Sequence, residues 1–190
     1  MSNLDKFKET MKALRSENGC PWDKEQTLQT LKQYLIEESY EVIDAIDKND
    51  VAEHKEELGD VLLQILFQSQ IRSENGEFDV EDVIEYANNK IISRHPHVFK
   101  KDETIKTADD VVNKWNSFKE KEGKKITFFG NIPNSFPALL ESLKINKKAA
   151  KTGFDWEKIE DIFDKLDEEV QEFKEAKTKE EQEMELGDIL

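Results

Sequence analysis

Two parts of this 190-residue sequence repeat each other. EESYE at 37–41 is followed by ELGD at 57–60, and EEVQE at 168–172 is followed by ELGD at 185–188. The turns ahead of them also correspond, GCPWD at 19–23 and GFDW at 153–156. Three elements in the same order point to an internal duplication. Self-similarity of this kind limits the possible folds more than any local signal, because each copy has to build the same supersecondary unit. The second copy reads as C-terminally incomplete, since no counterpart of residues 63–99 follows it.

The spacing inside the repeat is helical. In LQTLKQYLIEESYEVIDAI, Leu28, Leu31, Leu35, Val42 and Ile46 recur at three- and four-residue steps, and Asn49 and Asp50 then punctuate the chain. A second helix is expected from about Val51 to Arg72. Its Leu58, Val61, Leu62, Leu63, Ile65, Leu66 and Phe67 make it apolar nearly all round, so it belongs at the centre of a bundle. A third runs from Asp79 or Val80 to about Ser93, and RHPHVF at 94–99 ends it, because proline disfavours helix at the residue before it. Residues 108–122 read as a further helix, and the loop ending in GNIPNSFP as a breaker. No convincing β-pattern occurs. The expectation is an all-α protein with a first unit at 1–122, a linker at 123–137 and a second, C-terminally incomplete unit at 138–190.

Composition narrows the partners. With 36% hydrophobic and 37% charged residues, the core is thin, as in helical bundles that finish their burial by dimerisation. A net charge of −15 opposes a nucleic-acid polymer or an anionic membrane surface, and leaves room for a single nucleotide bound through a metal. One cysteine cannot form an internal disulfide, which suits a reducing compartment. MSNLDKFKET has no apolar signal core and no long apolar run follows, so a cytoplasmic location is expected.

The acidic residues of the repeat carry the chemistry. At about 100° per residue, with Leu35 as origin, Glu38 lies about 60° and Glu41 about 120° off the apolar stripe on one side, while Glu37 faces water. Glu57 and Asp60 are also three apart, on a helix that is otherwise apolar; Glu169 and Glu172 stand to Leu166 as Glu38 and Glu41 do to Leu35. An acidic residue on a helix ordinarily belongs to a solvated face. Here the angle, the apolar neighbourhood and the repetition favour a site instead. Like charges gathered near a core require a cation. Four carboxylates from two helices suit Mg²⁺ or Mn²⁺, hard ions that prefer oxygen. They do not suit zinc, since Cys20, His54, His95 and His97 lack its ligand spacing. They also lack the Glu-x-x-His pattern of di-iron bundles. Mg²⁺ held by few carboxylates keeps positions for water and phosphate, which points to hydrolysis of a phosphoanhydride.

CPWDKEQT, EESYEVIDAI, ELGDVLLQILF, RHPHVF, GFDW and the second EExxE–ELGD together resemble the MazG family of nucleoside triphosphate pyrophosphohydrolases over nearly the whole chain. The resemblance implies an all-α fold, a tight homodimer and Mg²⁺-dependent cleavage between the α and β phosphates. The products would be a nucleoside monophosphate and pyrophosphate, in the service of nucleotide-pool housecleaning. It assigns Glu38, Glu41, Glu57 and Asp60 to metal and catalysis in the first unit, and Glu169, Glu172, Glu185 and Asp188 to metal in the second. Lys90 and Arg94, four apart on the third helix, match the family's triphosphate-binding residues; the alternative is a basic pair favoured by the helix dipole. The second copy lacks that helix. Trp22 either stacks on the substrate base or staples the entry of the metal helix, and Trp156 is placed likewise. His95 and His97 read as loop structure. Trp115 and Lys119 read as structural or dimer-forming, with a nucleotide contact as the alternative, and Lys147, Lys148 and Lys151 as a solvated face, with a phosphate contact as the alternative. The rival reading is a non-catalytic acidic helical dimer, a regulatory or interaction module whose carboxylates bind metal only to hold the fold.

Overall fold

In the computed structural model, residues 1–100, 107–111, 132–133 and 135–190 are described below. All regular structure among them is α-helical. Backbone contacts divide the chain into two compact units, 1–108 and 109–190. The expected linker falls largely outside the described residues, as do Trp115 and Lys119.

The first unit contains α1 (Asn3–Arg15), α2 (Pro21–Glu25), α3 (Leu31–Asp47), α4 (Val51–Glu74), α5 (Val80–Arg94) and α6 (Pro96–Phe99). Three of the long helices, α1, α4 and α5, start where a capping side chain satisfies free amides. The Ser2 hydroxyl accepts from the Asp5 amide while the Asp5 carboxylate accepts from the Ser2 amide, and Asp79 and Asp82 form the same reciprocal box on α5. At the α3–α4 joint, Asn49 takes a left-handed φ of 55°, and Asp50 then accepts from the Ala52 and Glu53 amides. A joint of only residues 48–50 makes α3 and α4 an antiparallel pair, and they pack along one another.

α1 is not among the elements expected from the sequence. The signal was present in Leu4, Phe7, Met11 and Leu14, spaced by three and four. It supplies the centre of the core: buried Met11, Leu31, Phe67 and Ile71 touch, flanked by Leu14, Leu28, Tyr34 and Leu63. Met11 is 1% exposed, so Met11→Ala should cost about 2–4 kcal/mol, read as a lowered urea midpoint for the first unit.

The expected start of α3 also moves. Leu28 and Thr30 lie in a turn closed by mutual Thr27–Thr30 hydrogen bonds, and the helix begins at Leu31. No side chain caps the helix there; the Leu31 amide donates to the Thr27 carbonyl across the junction instead. Ile46, placed by periodicity on the apolar stripe, is exposed, while Ala45 is buried. The small side chain is what lets α4 come close at that level.

GCPWD forms a tight corner. A Cβ at Gly19 would stand 2.1 Å from the Leu14 carbonyl oxygen, so only glycine lets the chain fold back over the end of α1. Pro21 then opens the short helix α2 at its first position, where its missing N–H costs nothing. Arg15 pins this corner: its guanidinium donates to both Glu74 oxygens at 2.7 and 2.8 Å and to the Asp23 and Gln26 carbonyls, and it lies over the Phe67 ring.

The second unit contains α7 (Ala138–Ala150), α8 (Ile159–Glu175) and α9 (Lys179–Ile189). Gly153, with φ +85°, carries the chain past the end of α7. Thr178 and Glu181 box the start of α9, and α9 packs on α8 across a joint of the same length, 176–178, as that of α3 and α4. Each copy of the sequence repeat therefore forms a helical hairpin. No described helix is long and apolar enough to cross a membrane.

Candidate metal and nucleotide site

The antiparallel pairing of α3 and α4 brings the two i, i+3 carboxylate pairs to one level. Oxygens of Glu38, Glu41 and Glu57 lie within 4.8 Å of one another. Asp60 stands outside this tightest group, yet its charge is felt inside it. The Glu38 carboxyl is pushed above the usual carboxylate range by burial first, then by Asp60, Glu41 and Glu57. Glu57 is pushed up in the same way, by burial and then by Glu41 and Asp60. Glu37 is exposed, as the helical angle required. Among the described residues, no lysine or arginine pairs with Glu38, Glu41, Glu57 or Asp60. A close group of carboxylates with only oxygen donors, two of them raised by burial and by their acidic neighbours, could hold a hard divalent cation, which would relieve this repulsion.

The second hairpin forms the same cluster from Glu169, Glu172 and Glu185. Glu185 is raised by burial, then by Glu172, Glu169 and Asp188, with Lys165 opposing. Asp188 is therefore related to its group as Asp60 is to the first.

The remaining residues named from the sequence stand as follows, and among the described residues no ion pair joins Lys90 or Arg94 to the first cluster. Trp22 is 52% exposed and meets Tyr34 edge-on, with ring centroids 6.0 Å apart. Tyr34 is one helical turn before Glu38, so the indole sits at the end of α3 from which the carboxylate face begins. One edge of Trp22 is packed and the rest is open, which leaves a surface for a flat ligand. Lys90 and Arg94 share a face of α5, and the Lys90 ammonium lies over the Tyr86 ring at 5.4 Å. His95 ends α5 with its Nδ1 2.7 Å from the Ile91 carbonyl, and its ring is 5.6 Å from that of His97. Trp156 is 53% exposed and lines an open groove with Phe154, Gly153 and Ile162.

Gln64 was missed by the sequence reading. It is 6% exposed on α4, one turn past Asp60, and its Oε1 has no hydrogen-bond partner among the described residues. The signal was a lone polar residue inside VLLQILF, and a buried orphan acceptor on the cation face marks a place for a donor such as water.

These features define an all-α hairpin protein with acidic, oxygen-only clusters that could hold a divalent cation. The MazG nucleotide pyrophosphohydrolase domain matches residues 26–99, a span that holds Glu38, Glu41, Glu57, Asp60, Lys90 and Arg94. The chain is 46% identical over 182 residues to the nucleoside triphosphate pyrophosphohydrolase/pyrophosphatase MazG of Thermotoga maritima, covering 95% of this chain and 69% of that protein. It is 41% identical over 176 residues to the nucleoside triphosphate pyrophosphohydrolase of Escherichia coli, covering 90% and 66%. A crystal structure of a MazG-related protein from Thermotoga maritima superposes with a TM-score of 0.52 at 28% identity, covering 61% of this chain and 98% of that one. The chain belongs to the MazG family of nucleotide pyrophosphohydrolases. It spans about two thirds of the length of these two curated relatives.

Proposed function

We propose that this chain hydrolyses nucleoside triphosphates, ribo- and deoxyribo-, to a nucleoside monophosphate and pyrophosphate with Mg²⁺, or Mn²⁺ in its place, as a cytoplasmic guardian of the nucleotide pool. One observation carries the reading: three glutamates from two helices, Glu38, Glu41 and Glu57, converge within 4.8 Å, and burial and the neighbouring acids push the Glu38 and Glu57 carboxyls up. Family membership supplies the substrate class.

Glu38, Glu41, Glu57 and Asp60 would hold the cation in the first unit, and Glu169, Glu172, Glu185 and Asp188 in the second. A bound divalent ion supplies neutralisation of phosphate charge and a lowered pKa for water. The carboxylates do the rest. The raised proton affinity of Glu38 and Glu57 suits one of these two to take the proton of the attacking water. Lys90 and Arg94 stabilise charge on the departing pyrophosphate. Trp22, braced by Tyr34, offers its open face to the base.

Exposed apolar stripes support a homodimer. Ile36, Tyr40 and Ile43 run along α3, and Leu58, Leu62 and Ile65 along α4, all at least 38% exposed in a unit whose own core is small. Tyr40→Glu with Leu62→Glu should convert a dimer into a monomer by sedimentation while the helical circular dichroism persists, since neither side chain is buried within the protomer.

Product identity tests the activity. The protein is incubated with Mg²⁺ and a panel of ribo- and deoxyribonucleoside triphosphates, and products are separated by ion exchange. Monophosphate plus pyrophosphate, lost in Glu38→Ala/Glu41→Ala, is expected. No turnover on any nucleotide, with Mg²⁺ still raising thermal stability, would overturn the reading in favour of a metal-stabilised interaction module.

A further inference from the structure

The two carboxylate clusters share their geometry but not their counter-ions. The residue one turn before Glu38 is Tyr34, whose ring meets Trp22. The residue one turn before Glu169 is Lys165. Its Nζ lies 2.7 Å from Glu169 Oε1 and 3.0 Å from Glu168 Oε1. Glu169 is 8% exposed, so this charge-assisted bond satisfies a carboxylate that has little water to turn to. The influence of Lys165 extends across the hairpin, where it draws the Glu185 carboxyl down against the other acids. The cluster on α3 and α4 has no such cation among the described residues.

An ammonium and a divalent ion compete for the same oxygens. For the ion to reach Glu169, either the ammonium leaves or two positive charges share the site, and both weaken binding. The Lys165 side chain is 42% exposed, so its flexible stem has solvent to swing into. Resting on the cation reading proposed above, we propose that Lys165 is a built-in competitor for the divalent cation. It makes the Glu169–Glu172–Glu185 cluster the weaker of the chain's two cation sites, and cation entry there releases its ammonium. When the cation is scarce, the first unit fills first.

Titration of the whole chain with Mn²⁺, with free ion read by electron paramagnetic resonance, tests this. Two affinity classes are expected. Glu38→Gln/Glu41→Gln removes the tight class and leaves the weak one. Lys165→Met keeps the stem without the charge and tightens the weak class by on the order of tenfold; Lys165→Arg keeps the charge and leaves it weak. In the unaltered protein titrated with Mg²⁺, the Lys165 ammonium resonance in the nuclear magnetic resonance spectrum should move with the weak phase and not with the tight one. A weak class unchanged by Lys165→Met, or an ammonium signal that does not move, overturns the role of Lys165 alone. Absence of Mn²⁺ binding from every form overturns it together with the cation reading.

Discussion

Glu38→Gln should lower Mg²⁺-dependent turnover by more than about 100-fold, because even groups that only support a metal ligand are worth about 10–100-fold. The same change should stabilise the metal-free protein. Glu38 sits among Glu41, Glu57 and Asp60, and burial and these charges raise its carboxyl above the ordinary value. A folded-state pKa above the unfolded one means the native state binds the extra proton. Its contribution is therefore full below the ordinary carboxylate pKa and is lost as pH rises through the raised value. Glutamine removes that loss. In a metal chelator, the gain in melting temperature over the unaltered protein should be larger at about pH 7.5 than at about pH 4.5. With saturating Mg²⁺ at neutral pH the order should reverse, since the unaltered cluster gains binding energy that the variant has given up. Equal melting temperatures in chelator at both pH values would show that the acids are not in electrostatic contact.

Arg15→Met should destabilise the first unit by about 2–3 kcal/mol. Breaking a buried ion pair costs about 3–5 kcal/mol, and this figure is reduced here because the Glu74 side chain is 36% exposed while that of Arg15 is 9%. The loss reaches beyond the pair. One guanidinium joins the end of α1 to the end of α4 and holds two carbonyls at the C-terminal end of α2, those of Asp23 and Gln26. Arg15→Lys should recover little of it, because a single ammonium cannot reproduce a planar fork with donors in several directions. The urea transition of the first unit reports both variants. Because α2 carries Trp22, the substrate KM should rise more than kcat falls if the indole holds the base; a change in kcat alone would remove Trp22 from that role.

The pattern of what could be read from sequence follows from the range of the forces. Spacing of three and four residues marked the two helices that carry the first acidic cluster, and the repeat marked the second hairpin, because both signals are local. The N-terminal helix showed the same period and was passed over, since nothing in Leu4, Phe7, Met11 and Leu14 says what they pack against. Gln64 looked like an interruption of an apolar run. Only burial without a partner shows it to be an orphan acceptor, one turn past Asp60.

By itself the sequence determined the helical class and the pairing of acids on each helix, since backbone geometry sets which side chains share a face. Tertiary structure decided which acids meet. The rotation of α4 against α3 puts Glu57 into the group of Glu38 and Glu41 and leaves Asp60 at its edge. It also decided that the two copies differ electrically, because Lys165 matters only once Glu169 is buried beside it. A charge on a chain is a property of one residue; its effect depends on the distances and the dielectric that packing imposes.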